Sequence, residues 1–323
     1  LVVWYGGLNA AEGGIITLGV IVAFIDFSQM LFRPLRQIAD KFNTLQMGMV
    51  AARRVFDVLD TDSRIEDTGT LLLDEANGAI EFKKVRFSYI ENEEVIKGIS
   101  FNVKQGETVA IVGATGAGKS TIINLLSRFY EIDSGEIFIN NIAINDYTLK
   151  SLRSHIAVVL QDVFLFADSI FNNITLNNNT ISEEQVIKAA KEIGVHKFIN
   201  ELPNNYHYNV KERGVMLSSG QRQLLAFLRA YLSSPSILVL DEATSSVDSY
   251  SEEMIQIATD KITKDRTSII IAHRLATIKK ADKIIVMEEG KIVEIGSHKD
   301  LIQKEKGHYK NLYEVQFLKK ELV

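Results

Sequence analysis

The sequence predicts a two-part protein. An apolar helical head is followed by a larger α/β domain with a parallel sheet at its centre and an antiparallel sheet beside it. Three observations carry this. The first 50 residues hold six charges (Glu12, Asp26, Arg33, Arg36, Asp40 and Lys41), against 71 in the remaining 273. A glycine-rich loop at 113–118 joins the apolar run TVAIV to a helical pattern, STIINLLSRF. A second apolar run, ILVL, ends in paired carboxylates at Asp241 and Glu242. Apolar runs between glycine-rich turns and helical stretches suit buried parallel strands.

The 323 residues suffice for about two domains. Apolar residues make up 46% and charged residues 24%, which rules out a disordered chain. The net charge of −5 gives no bulk basic character, so no nucleic-acid partner is expected. With no cysteine, a disulfide scaffold, a cysteine-ligated zinc site and a thiol nucleophile are excluded.

In the head, residues 13–25 are uncharged, and MLF continues the apolar run after Asp26, Ser28 and Gln29. Residues 13–32 are long enough to span a bilayer, which takes about 20 apolar residues. A buried helix of a soluble domain is the alternative. A membrane helix would turn its polar residues to a water-filled cavity. Arg33, Arg36, Lys41, Arg53 and Arg54 all follow the span, which places that end in the cytoplasm. Residues 1–7 are expected to end a preceding span and 8–12 to form an outer turn. Beginning at Leu1 inside an apolar stretch, the chain reads as a fragment or processed product, without the basic region of a signal peptide. After Pro34, Leu35, Ile38, Phe42, Leu45, Met49, Ala52, Val55, Phe56 and Leu59 recur at helical spacing. The expected division is therefore 1–59 for the end of a transmembrane domain, 60–78 for an acidic linker, and 79–323 for the α/β domain. Alternation and turns over 81–103 suit the antiparallel side sheet.

Gly113, Ala114, Thr115, Gly116, Ala117, Gly118, Lys119 and Ser120 match G-x-x-x-x-G-K-[ST] between a strand and a helix. Glycines let the backbone wrap an anion, and the amides of Gly116 through Thr121 can point at phosphate oxygens. Lys119 supplies a point charge between β- and γ-phosphates, and the Ser120 hydroxyl a ligand for Mg²⁺. Asp241, 122 residues beyond Lys119, ends its strand where ligands collect in parallel sheets, and would hold Mg²⁺ directly or through water. Glu242 is placed to polarise an attacking water as general base. An apolar run ending in Asp-Glu is common by itself; the phosphate loop gives it meaning. Between them, LSSGQ at 217–221 opens a helix, where Ser218 alone would be an ordinary N-cap.

Together these residues resemble the ATP-binding cassette family, specifically its exporter half-transporters, along essentially the whole chain. Residues 113–120 match the Walker A loop, 237–242 the Walker B strand and 217–221 the LSGGQ signature. Gln161 matches the Q-loop, 245–248 the D-loop with Asp248, His273 the switch histidine, and Tyr89 the aromatic of the A-loop. The resemblance implies a P-loop NTPase cassette with a RecA-like parallel core, an antiparallel β subdomain and a helical subdomain at 162–228 that receives coupling helices. It implies ATP and Mg²⁺ as cofactors. Tyr89 would stack on adenine, though by itself it is a strand aromatic. Gln161 would touch Mg²⁺ and the water. His273, otherwise a histidine at a strand end, would bond the γ-phosphate. Ser218 and Gly220 would cover the ATP of an opposite chain. Two chains would thus sandwich two nucleotides, closing on ATP and opening after hydrolysis to export a substrate from the cell membrane.

One residue departs from the pattern: Ser219 stands where the family usually has glycine. Heterodimeric exporters often pair a half of variant signature with a complementary half, so both a homodimer and a heterodimer stay open. Two other readings compete. A soluble cassette ATPase of DNA repair or translation would not need the apolar head, and a P-loop kinase has no use for the signature, Q-loop or histidine. The transported substrate is not legible, because substrate contacts in this family lie in membrane helices.

Overall fold

The computed structural model describes residues 1–61, 64–73, 78–241, 249–272 and 274–315. The chain divides into two compact units, Leu1–Arg64 and Ile65–Val323.

The first unit holds α1 (Val2–Ala11) and α2 (Leu18–Asp60). Gly6 of α1 is buried against Ile21 of α2, where an added Cβ would lie 3.0 Å from the isoleucine side chain. α1 runs to Ala11, so most of the stretch expected to be an outer turn is helix, and the turn follows it. The second helix begins at Leu18 and not at residue 13, because the side chains there bond backbone. Asn9 Oδ1 accepts from the Ile16 amide, and the Thr17 hydroxyl caps Val20. Hydropathy cannot see such caps. α2 continues unbroken through Pro34, and its 43 residues extend about 65 Å at 1.5 Å per residue. Among the described residues it is the one helix long and apolar enough to cross a membrane. Many of its apolar side chains, Phe24, Phe27, Met30, Leu31 and Phe32 among them, are exposed.

The second unit is built on two sheets. β1 (Ile80–Ser88), β2 (Glu94–Val103), β4 (Ser134–Ile139) and β5 (Ile142–Ala143) form an antiparallel sheet in the order β2-β1-β4-β5. β3 (Thr108–Gly113), β6 (Ile156–Val159), β7 (Ile237–Asp241), β8 (Thr267–Ile271), β9 (Lys283–Glu288) and β10 (Lys291–Gly296) form the other, ordered β10-β9-β3-β8-β7-β6. All of its pairs are parallel except β10 with β9. The two-residue period of each strand divides the apolar residues between two cores. Val109 and Ile111 of β3 face one side with Ile237 and Val239 of β7, against α3 (Lys119–Leu126) and the antiparallel sheet. In that core Phe82 and Phe101 stack at 4.5 Å. Ala110 and Val112 face the other side with Leu238 and Leu240, where helices cover them. The cover includes α5 (Ile170–Thr175), α6 (Glu183–Ile193), α7 (His196–Asn200), α8 (Ser219–Leu232) and α9 (Ser249–Thr263). Three of these, with the start of α8, make 162–228 helical.

Part of the stretch expected to be linker is bonded to this unit. The amides of Thr70 and Leu71 both donate to Asp146 O at 2.9 Å, and Thr148 N donates back to Leu71 O. Leu73 is buried, and its amide reaches the Ser151 hydroxyl of α4 (Leu149–His155). Arg128, buried just past α3, donates to Glu66 O.

Candidate nucleotide site

The loop after β3 closes tightly. A Cβ on Gly113 would stand 2.2 Å from Met287 O of the neighbouring strand, and at φ +95° Gly118 would put one 2.8 Å from Ile96. Only glycine fits there. Gly116 by contrast faces open space, and Ala114 and Thr115 beside it are exposed, which leaves the loop's outer side clear for an anion.

Lys119 opens α3 and is nearly buried. Its Nζ donates to Gly113 O and Ala114 O, each at 2.9 Å, so the ammonium is folded over its own loop. Burial pushes its pKa down, and the nearby Asp241 carboxylate partly offsets that. The Ser120 hydroxyl, one residue on, donates to Asp241 Oδ2 at 3.3 Å. This contact spans β8, which separates β3 from β7 in the sheet. Both groups offer hard oxygen donors, the kind Mg²⁺ takes together with phosphate and water.

Tyr89 follows β1 and reaches α3. Its hydroxyl donates to Thr121 Oγ1 at 3.3 Å and accepts from Asn124 Nδ2 at 2.9 Å. Phe87 and Tyr130 meet its ring edge-on, at 4.7 Å and 5.0 Å. Sequence reasoning missed Asn124 and Tyr130; Asn124, three residues after Thr121, shares its helix face, which was the available signal for it.

Gln161 is exposed two residues past β6, whose Val159 pairs in register with Leu240. It therefore stands at the same sheet edge as Asp241. Next to it lies a cleft of about 540 Å³ lined by Leu160, Asp162, Phe164, Phe166 and Arg229. Ser218 caps α8 through a reciprocal pair: its hydroxyl accepts from Gln221 N and Gln221 Oε1 accepts from Ser218 N. Gly220 is buried in the first turn. Glu242, Asp248 and His273 lie outside the described residues, as does the rest of 245–248.

The family model of ABC transporters matches residues 96–245. A probable multidrug resistance ABC transporter ATP-binding/permease protein of Bacillus subtilis is 42% identical over 97% of this chain and 46% of its own length. A putative multidrug export ATP-binding/permease protein of Staphylococcus aureus is 45% identical over 97% of this chain and 54% of its own. Among solved structures, a bacterial Atm1-family ABC exporter with ATP bound matches at a TM-score of 0.74 and 36% identity, over 98% of this chain and 56% of that one. The chain thus spans about half the length of these relatives. With the phosphate loop, the β7 carboxylate and the two-sheet architecture in place, the second unit of this chain is an ATP-binding cassette of the ABC transporter family.

Proposed function

We propose that this chain is the ATPase end of an exporter half-transporter, which works as one of two chains in a membrane. The Ser120–Asp241 contact is the observation that carries the reading, since it joins the phosphate loop to the end of β7 across 121 residues of sequence. With ATP bound, Lys119 would leave its loop carbonyls for the β- and γ-phosphates, exchanging two neutral acceptors for charged ones. Ser120 and Asp241, with Gln161 beside them, would hold Mg²⁺, which supplies positive charge against the phosphates. Glu242, the next residue after Asp241, would take the proton of the attacking water, and His273 would orient the γ-phosphate. Ser218 and Gly220, with Asp248 of the D-loop, would serve the nucleotide of the opposite chain.

The cleft beside Gln161 would receive the coupling helices. Its exposed Phe164 and Phe166, 5.1 Å apart and edge to face, offer an apolar seat next to a residue of the catalytic edge. α2 would cross the bilayer with its basic residues on the cytoplasmic side. In this reading 1–59 is the membrane part, 60–78 the connection, whose residues 66–73 are bonded to the cassette, and 79–323 the cassette.

Glu242→Gln tests the catalytic assignment. The variant keeps its affinity for Mg-ATP and loses turnover by about 10²-fold or more, the scale of a removed general base. Undiminished hydrolysis by that variant takes Glu242 out of the role.

A further inference from the structure

The Tyr89 ring is held by more than stacking requires. A base needs only a flat π-face, and about half of the Tyr89 surface is exposed to offer one. Yet the hydroxyl at the far end of the ring is bonded twice to α3, to Thr121 Oγ1 and by Asn124 Nδ2. The ring's sides are gripped by Phe87 and by Tyr130, the latter at 5.0 Å and 89°. Phe87 and Tyr130 also meet each other at 5.7 Å, so the three rings form a closed cluster. Thr121 is buried two residues after Lys119 in α3, so the hydroxyl bond joins the aromatic platform to the phosphate end of the site.

From this geometry we infer that Asn124 and Tyr130 are positioning residues for the nucleotide base: they lock Tyr89 to the phosphate-loop helix and fix the span between base and phosphates. The inference rests on Tyr89 stacking with the base. A ring free to swing would lose rotamer entropy on binding each nucleotide; a tethered ring has lost it already, which favours binding. Asn124 does this through one hydrogen bond and Tyr130 through one edge-to-face contact, and both lie outside the 113–120 loop. Their removal therefore weakens only ligands that carry a base.

The experiment is equilibrium binding of Mg-ATP and of Mg-tripolyphosphate, which has the phosphates and no base, to the full chain and four variants. Tyr89→Ala reports on stacking. Tyr89→Phe keeps the ring and removes both hydroxyl bonds, and Asn124→Ala removes one of the two from the other side. Tyr130→Leu removes the ring contact. We expect Asn124→Ala, Tyr89→Phe and Tyr130→Leu each to weaken ATP about three- to tenfold, the scale of one hydrogen bond or aromatic pair, and to leave tripolyphosphate unchanged. Tyr89→Phe combined with Asn124→Ala should be little worse than Tyr89→Phe alone, because the Asn124 bond is one of the two that the Tyr89 hydroxyl makes. Equal losses for ATP and tripolyphosphate would mean that Asn124 or Tyr130 acts on the phosphate loop, and would overturn the inference. So would unchanged ATP affinity in these variants beside a loss in Tyr89→Ala, an outcome that leaves stacking intact. Should Tyr89→Ala itself preserve the ratio of the two affinities, the stacking reading falls and the inference with it.

Discussion

Lys119 sets the terms at the scale of one residue. Its ammonium is nearly buried, bonded to two carbonyls, and has its pKa pushed below the ordinary lysine value of 10.5 chiefly by desolvation. Phosphate would supply the negative charge that the carbonyls lack, so nucleotide binding raises the pKa again. Two consequences have opposite signs over one pH window, which lies below 10.5. As pH rises through the depressed pKa, the unoccupied protein gains stability relative to the unfolded chain, because the unfolded lysine still binds a proton that the folded one has released. Affinity for Mg-ATP falls over the same window, because a neutral amine cannot serve the phosphates. Titrating thermal unfolding and ATP binding in parallel checks both, and affinity that stays flat while stability rises would remove Lys119 from the phosphates. Lys119→Ala should cost about 10- to 100-fold in ATP affinity, the worth of a charge-assisted hydrogen bond. Unchanged affinity would sink the phosphate-loop assignment.

At the scale of the element, the stretch at 66–73 shows what the chain conceals. Its acidic, glycine-punctuated composition suggests a solvated linker, yet backbone bonds to Asp146 and Thr148 and the buried Leu73 tie it down. Leu73→Ala should therefore destabilise the cassette by about 2–4 kcal/mol, as for other buried leucines. A loss under about 0.5 kcal/mol in denaturant unfolding would return the stretch to a surface role. Composition does not show this docking, because it is made by backbone groups, by Leu73 and by the side chains of Asp67, Arg128 and Ser151, which make no periodic pattern. Elements set by local chemistry were legible. β3 and β7 came from continuous apolar runs, and the phosphate loop from glycines whose Cβ would collide with Met287 O or Ile96. The start of α2 at Leu18 was not, since Asn9 and Thr17 set it through side-chain bonds. Tyr130 was also hidden, because its place beside Tyr89 depends on tertiary packing.

For the molecule as a whole, whether the second chain at each ATP site is a copy of this one turns on the signature. Ser219 is the first residue of α8, in ordinary helical backbone, so a glycine is not required at this position. Its side chain is exposed, and the serine adds volume without backbone strain. Ser218 accepts from the Gln221 amide as a cap, which leaves the hydroxyl proton to donate to a phosphate oxygen. LSSGQ can therefore serve a second copy of the same chain, in the role proposed above for Ser218 and Gly220. If it does, the full chain carrying Glu242→Gln in detergent should shift from a one-chain to a two-chain mass when Mg-ATP is added, measured by detergent-corrected light scattering. Lys119→Ala should abolish the shift, because the nucleotide is the glue. A Glu242→Gln chain that binds ATP at the wild-type affinity and keeps a one-chain mass would exclude the homodimer. Its complement would then be a different half-transporter, whose own signature must close over the ATP held by Lys119 and Ser120.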